Sequence, residues 1–319
     1  MRTLLSALLF VGLLAGVAVA GGFEETEPND TKDFANLVDP PLDLGDDIVG
    51  KIDPGGDVDY FLVQTAPLGG GLWRQRLVIT PTTPERTGCI RGLGQFNGDI
   101  FPNSNVVVQE SSNATTPPQF NQWYSFGGGD RFYYSVTGDQ SSATVQYHAT
   151  LQAEPITPHV IHTKFVEGMI KIETFVPPDP DTDLWVYNGL GEAMGGYGND
   201  DELYNPSGES ELIRPYDPGT YYLALTDSNF ANDLPSPDDD NYRNGKVLEF
   251  GGMAVNSSLQ RPLNLDFAIS DQYGHSAVVG AMKTGPYDIQ WFEFTVVPEP
   301  CSVVLLILGA CPFLLRRRR

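Results

Sequence analysis

The sequence predicts an all-β protein, and three observations predict it. Turn formers punctuate the chain, with 34 Gly and 25 Pro in 319 residues. Tyr, Phe, Trp, Val and Thr are plentiful and recur in short alternating or β-branched runs between those turns. Between the two termini no segment keeps a helical period for three turns. Many short strands at such spacing read as antiparallel sandwiches.

In the first half, strands are expected at Asp59–Thr65, Arg76–Thr80, Asn105–Gln109, Trp123–Phe126, Arg131–Thr137 and Thr144–Leu151. Ala153-Glu154-Pro155-Ile156-Thr157-Pro158 is the expected linker, with a long internal loop as the alternative. Beyond it, strands are expected at Ile161–Phe165, Met169–Phe175, Leu184–Asn188, Glu211–Pro215, Thr220–Thr226, Leu263–Ile269 and Gln290–Val296. Two echoes favour a two-part body. Asp57-Val58-Asp59-Tyr60-Phe61 matches Asp181-Thr182-Asp183-Leu184-Trp185, and Arg131–Val136 matches Gly219–Ala224. Duplication and shared sandwich architecture both account for them.

The ends carry targeting signals. Arg2, an apolar stretch to Ala20, and the small residues Ala18 and Ala20 form the pattern of a signal peptide over residues 1–20. At the other end Cys301–Leu315 is apolar for 15 residues, short of the roughly 20 an upright spanning helix needs. Arg316, Arg317, Arg318 and Arg319 follow at once, and their stems can snorkel to the interface. Four adjacent arginines resist translocation, so the tail is expected in the cytoplasm and the body outside. Pro298 and Pro300 lack N–H donors and favour extended, accessible chain.

Pro298-Glu299-Pro300, the apolar run and the arginine cluster together resemble a PEP-CTERM sorting signal, residues 297–319. The resemblance implies an exosortase-like membrane protease as partner, and sorting to the cell envelope or beyond. Such tails occur in bacteria that make extracellular polysaccharide. A plain membrane anchor that is never cut is the alternative.

Without Arg2, the four terminal arginines and Glu299, 14 basic and 40 acidic residues remain, a net charge near −26. Such charge argues against nucleic acid or anionic lipid as a partner and suits divalent cations. Of three cysteines, Cys301 and Cys311 belong to the tail, leaving Cys89 alone. No disulfide framework or cysteine metal site can form within the body.

Glu25-Thr26-Glu27-Pro28-Asn29-Asp30-Thr31, followed by Gly56-Asp57-Val58-Asp59-Tyr60-Phe61, resembles the start of a bacterial pre-peptidase C-terminal (PPC) domain. Thr182–Tyr187, Asn199-Asp200-Asp201 and Pro218–Leu223 are similar to that family's later motifs. The resemblance implies jelly-roll-like β-sandwiches of the kind found beside secreted enzymes, although no peptidase domain accompanies them here. Opening and closing motifs stand far apart. Either a first domain with a divergent middle (Thr87 to Pro118) precedes a second copy, or one domain is expanded. Two sandwiches, at residues 21–154 and 155–296, are the favoured expectation.

In collagenase-type relatives this opening ligates calcium, which by resemblance falls on Glu25, Glu27, Asn29 and Asp30, with Asp57 and Asp59 as further candidates. Calcium takes about six to eight oxygen ligands, and a carboxylate-rich segment can wrap it. Otherwise these are solvated turn residues ahead of a strand. Asp179, Asp181 and Asp183 alternate, so in a strand they share a face and call for a cation or full solvation. Asn199–Glu202 and Asp238–Asp240 read as exposed loops.

Catalytic motifs are missing from the sequence. His148, His159, His162 and His275 form no His-Glu-x-x-His and read as surface or packed residues, and no Gly-x-Ser-x-Gly occurs. Trp185 and Trp291 read as core, whereas Trp123 is the best candidate for stacking on a sugar ring. The expectation is an exported, non-enzymatic envelope or matrix protein that interacts with exopolysaccharide or surface proteins. The alternative is a secreted hydrolase with a carboxylate pair hidden in the second half.

Overall fold

The structure, a computed structural model, describes residues 21–93, 108–112, 118–175, 181–199, 209–227, 230–234, 250–259, 263–283 and 285–300. The chain is all-β, as the sequence predicts. It opens with β1 (Gly22–Glu24), β2 (Asn36–Leu37), β3 (Asp47–Gly50), β4 (Val58–Gln64), β5 (Leu72–Thr80), β6 (Thr87–Arg91) and β7 (Val108–Glu110). Next come β8 (Gln119–Ser125), β9 (Arg131–Thr137), β10 (Tyr147–Ile156), β11 (His159–Val166), β12 (Gly168–Phe175), β13 (Thr182–Asn188) and β14 (Ala193–Asn199). The remainder is β15 (Glu211–Tyr216), β16 (Gly219–Asp227), β17 (Phe230–Ala231), β18 (Met253–Asn256), β19 (Leu263–Asp271), β20 (Ser276–Lys283) and β21 (Gln290–Val297).

These strands form four sheets. Two have the orders β2-β4-β9-β6-β7 and β1-β3-β10-β5-β8-β18-β17; the others are β11-β21-β16-β13-β14 and β15-β12-β19-β20. Pairing is antiparallel except for β1 with β3, β2 with β4, and β11 with β21. Strand alternation explains how the sheets stack. Phe61, Val63, Phe132 and Tyr134 of the first sheet meet Leu77, Ile79, Trp123 and Tyr147 of the second in one core. Leu184, Val186, Leu223 and Phe292 of the third meet Ile172, Leu212, Phe267 and Ile269 of the fourth in another.

A third cluster joins the two sandwiches. Trp185, Tyr187, Ala224 and Trp291 occupy the opposite face of the third sheet and pack with Leu72 and Tyr124 of the second. Trp291 lies 5.2 Å from Tyr187, 5.6 Å from Phe126 and 6.1 Å from Tyr124, ring to ring. Both inner sheets are therefore covered on two faces. That is why β8 and β13 are buried almost throughout instead of alternating.

The expected linker is strand. β10 stays paired with β5 out to Ile156 opposite Leu72, leaving only Thr157 and Pro158 before β11. Pro155 is tolerated because β3 pairs with β10 only from Tyr147 to Thr150, so the far end of β10 has a free edge. The strands also do not part at residues 154 and 155. After β16 the chain returns to the second sheet, where β18 pairs with β8, and Phe250, Met253 and Val255 join the first core.

The two echoes have a counterpart in strand pairing. β4, beginning after Asp57, is antiparallel to β9, and β13, beginning after Asp181, is antiparallel to β16. The second aspartate of each motif, Asp59 and Asp183, is buried.

Candidate metal centre

The segment ahead of β2 and the loop into β4 bring the expected acidic residues together. Oxygens of Glu25, Glu27 and Asp59 lie within 4.8 Å of one another, and so do oxygens of Glu27, Asp30 and Asp57. The two triads share Glu27, so five carboxylates form one continuous cluster. Ca–O distances of about 2.3–2.6 Å place oxygens across a calcium ion about 5 Å apart, which matches this spacing.

Local pairing explains the convergence. Glu25 donates its N–H to Val49 O at 2.9 Å, and its Oε1 accepts from Lys51 N at 2.7 Å, pinning it to the end of β3. Gly50 makes room for it: a Cβ there would collide with Glu25 Oε2 and the Tyr147 hydroxyl. Tyr60 N donates to Asn29 O at 3.0 Å, tying the acidic segment to β4. Asn29 N donates to Glu27 Oε2 at 3.0 Å, and Asp53 N to Asp57 Oδ2 at 3.2 Å. The Tyr147 hydroxyl donates to Asp59 Oδ2 at 2.6 Å.

The electrostatics are adverse. Two like charges about 4 Å apart repel by roughly 4 kcal/mol at an effective dielectric of about 20. Among the described residues no Lys, Arg or His forms an ion pair with any of the five. Burial, and then Glu25 beside it, push the Asp59 carboxyl up to about 9, even though Tyr147 works the other way. Glu27 and Asp57 are also raised, in each case by burial first and then by neighbouring acids.

Two oxygens at the cluster are orphaned. Asn29 Oδ1 and Asp59 Oδ1 are buried with no hydrogen-bond partner, and both residues are 0% exposed. A buried acceptor without a partner costs about 1–3 kcal/mol. A divalent cation would supply that partner and cancel the repulsion. The hard all-oxygen donor set of carboxylates and one amide carbonyl suits Ca²⁺. All six residues singled out in the sequence thus lie at one place. Gly50 and Tyr147 were missed, because Tyr147 is 88 residues from Asp59 and no spacing in the sequence announces it.

Other expected sites fare differently. Trp123 is buried in the first core, its Nε1 donating to Asp130 Oδ2 at 2.7 Å, so it cannot stack on a sugar. It looked exposed because the polar residues around it, Asn121 and Gln122, are themselves buried and hydrogen-bonded. Asp181 and Asp183 sit in different surroundings: Asp183 is buried and its Oδ2 accepts the N–H of Phe230 at 2.8 Å, while Asp181 is exposed. Asp179, Asp200–Glu202 and Asp238–Asp240 lie outside the described residues.

Of the targeting signals, Ala18, Ala20 and Arg316–Arg319 also lie outside. Pro298 and Pro300 are exposed just beyond β21, and Glu299 between them is held by Glu167 and the Tyr273 hydroxyl. No helix among the described residues is long and apolar enough to cross a membrane. No family model matches the chain, and comparison with curated proteins gives no match either.

Proposed function

We propose that this chain is an exported, non-enzymatic envelope or matrix protein whose first sandwich is ordered by calcium. The observation that carries this reading is the convergence of Glu25, Glu27, Asp30, Asp57 and Asp59, together with buried, unpartnered oxygens on Asn29 and Asp59. Calcium bound there would clamp the N-terminal segment to β3 and β4, so the mature chain would become rigid where the ion is abundant. The tail motif adds the route: cleavage near Pro298-Glu299-Pro300 by an exosortase-like protease, with exopolysaccharide or surface proteins as partners.

A groove of about 300 Å³ beside β5 and β10 is lined by Arg74, Arg76, Gln152, Ala153 and Glu154. Its one carboxylate, Glu154, is held by Arg74 and offers no facing pair for acid–base chemistry.

The test is to fractionate cells expressing the tagged chain, and to probe the purified body on glycan arrays with calcium and with chelator. Recovery in the envelope or medium, a shift to the membrane when Pro298-Glu299-Pro300 is replaced by alanines, and calcium-dependent glycan binding are the expected results. Cytoplasmic retention would sink the export half of the proposal. Blank arrays in both conditions would sink exopolysaccharide as the partner.

A further inference from the structure

A second polar cluster, remote from the acidic one, has the arrangement of a reaction centre. It sits where three strands end. Asp227 closes β16, Asn256 closes β18 and Lys283 closes β20, each in a different sheet. Lys283 and Asn256 are 0% exposed and Asp227 is 9% exposed. A fully buried lysine is rare, because its stem is long enough to reach water from most positions.

The contacts converge on one oxygen. Asp227 Oδ1 accepts from Lys283 Nζ at 2.5 Å and from Asn256 Nδ2 at 3.0 Å. Amine and amide nitrogen therefore stand side by side on a shared acceptor. Asp227 is fixed in turn by the Ser258 hydroxyl, which donates to Oδ2 at 2.6 Å. Asn256 Oδ1 accepts the N–H of Ser258 at 2.9 Å, and Asn256 Nδ2 is also held by Thr226 Oγ1 at 2.6 Å and Asp288 O at 3.3 Å. An amine, a carboxylate that can carry its proton and an amide whose oxygen already accepts an N–H are thus linked through Asp227 and Ser258.

We propose that Lys283 and Asn256 condense into an intramolecular isopeptide bond, with Asp227 carrying the proton. Lys283 Nζ gives a proton to Asp227 Oδ1 and attacks Asn256 Cγ. The negative charge that develops on Oδ1 is met by the Ser258 N–H. The new Nζ–Cγ bond forms and the Cγ–Nδ2 bond breaks. Nδ2 takes up the second proton of Nζ and the one held by Asp227, leaving as ammonium, and Asp227 returns to carboxylate. Lysine ammonium and asparagine amide become a secondary amide and ammonium, so atoms and charge balance with no co-reactant.

The position gives the bond a purpose. It would join β18, in the second sheet, to β20, at the edge of the fourth, locking the two sandwiches across their shared seam. Cys89 is the sole cysteine of the body, so no disulfide can do this for an exported chain.

The test is the intact mass of the full chain as purified, with fragmentation to place any loss. A mass lower than that of the processed sequence by one ammonia, mapped between Asn256 and Lys283, is expected. Asp227→Asn and Lys283→Arg should each show no loss. Circular dichroism on both variants separates failure to react from failure to fold, and Lys283→Arg keeps the charge while lacking the attacking amine. Wild-type protein at its full sequence mass overturns the proposal. Loss of one water mapped to Lys283 and Asp227 overturns it too, since Asp227 would then be a partner and not the proton carrier.

Discussion

Replacing Asp59 with Asn removes the acid that the calcium-free fold tolerates least. The Asp59 carboxyl stands at about 9 in the folded protein against an ordinary 3.8, because it is buried and faces Glu25. An acid raised in this way takes up a proton on folding throughout the interval. Its contribution to stability is full below about 3.8 and drains away as pH rises toward about 9. One such group gives a slope of about 1.4 kcal/mol per pH unit. By pH 7 some three units have been crossed, a loss of roughly 4 kcal/mol. Urea titrations in chelator at pH 5, 6, 7 and 8 should show wild-type stability falling across the series. Asp59→Asn should fall less steeply over the same range, Glu27 and Asp57 being raised as well, and should exceed the wild type at pH 7. It should also lose most of the stabilisation that calcium confers. A flat wild-type profile in chelator, or an Asn variant with an undiminished calcium response, would refute the reasoning.

Three further outcomes are expected. Gly50→Ala places a Cβ against Glu25 and Tyr147, and should destabilise the fold by about 1–3 kcal/mol and weaken calcium binding, measured by thermal melts with and without the ion. Trp291→Ala removes the centre of the aromatic seam and should cost about 3–5 kcal/mol. Calorimetry should then resolve two transitions where the wild type has one, and an unchanged single transition would count against coupling through the seam. Asp271 is pushed up by burial, but hydrogen bonds from Val166, His275 and Tyr273 outweigh that and hold it below its ordinary 3.8. Its contribution is present above that value and lost as pH falls through the lower folded one, so Asp271→Asn should flatten the acid limb of the stability profile.

How much was legible depends on what each residue meets. Expected strands rich in aromatic and β-branched residues coincide with observed ones; Arg131–Thr137 is β9 to the residue. Asn105–Gln109 overlaps β7 at Val108 and Gln109, its earlier part lying outside the described residues. Two of the longer strands that went unread, β14 and β20, are rich in Gly and Ala. At Gly198 glycine marks close approach instead of a turn: a Cβ there would run into the Trp185 ring. The seam was hidden for a different reason. Burial on both faces erases the alternation by which a half-exposed strand is recognised, and nothing local says that Trp185 and Leu184 face different cores. At the candidate metal centre, the resemblance to a PPC-type opening pointed to the acids on the incoming segment and on β4. The Lys283–Asp227–Asn256 cluster gave no signal in sequence, since it is assembled from three strand ends far apart in the chain.

The most direct test of the proposed calcium site is titration calorimetry of residues 21–297 with Ca²⁺, paired with melting in excess calcium and in chelator. Binding in the micromolar range is expected, with saturation at about a hundred times Kd adding about 2.7 kcal/mol and raising the melting temperature by some 5 °C or more. No heat and no shift would contradict the account, leaving Glu25, Glu27, Asp30, Asp57 and Asp59 as an acidic edge neutralised by protons alone.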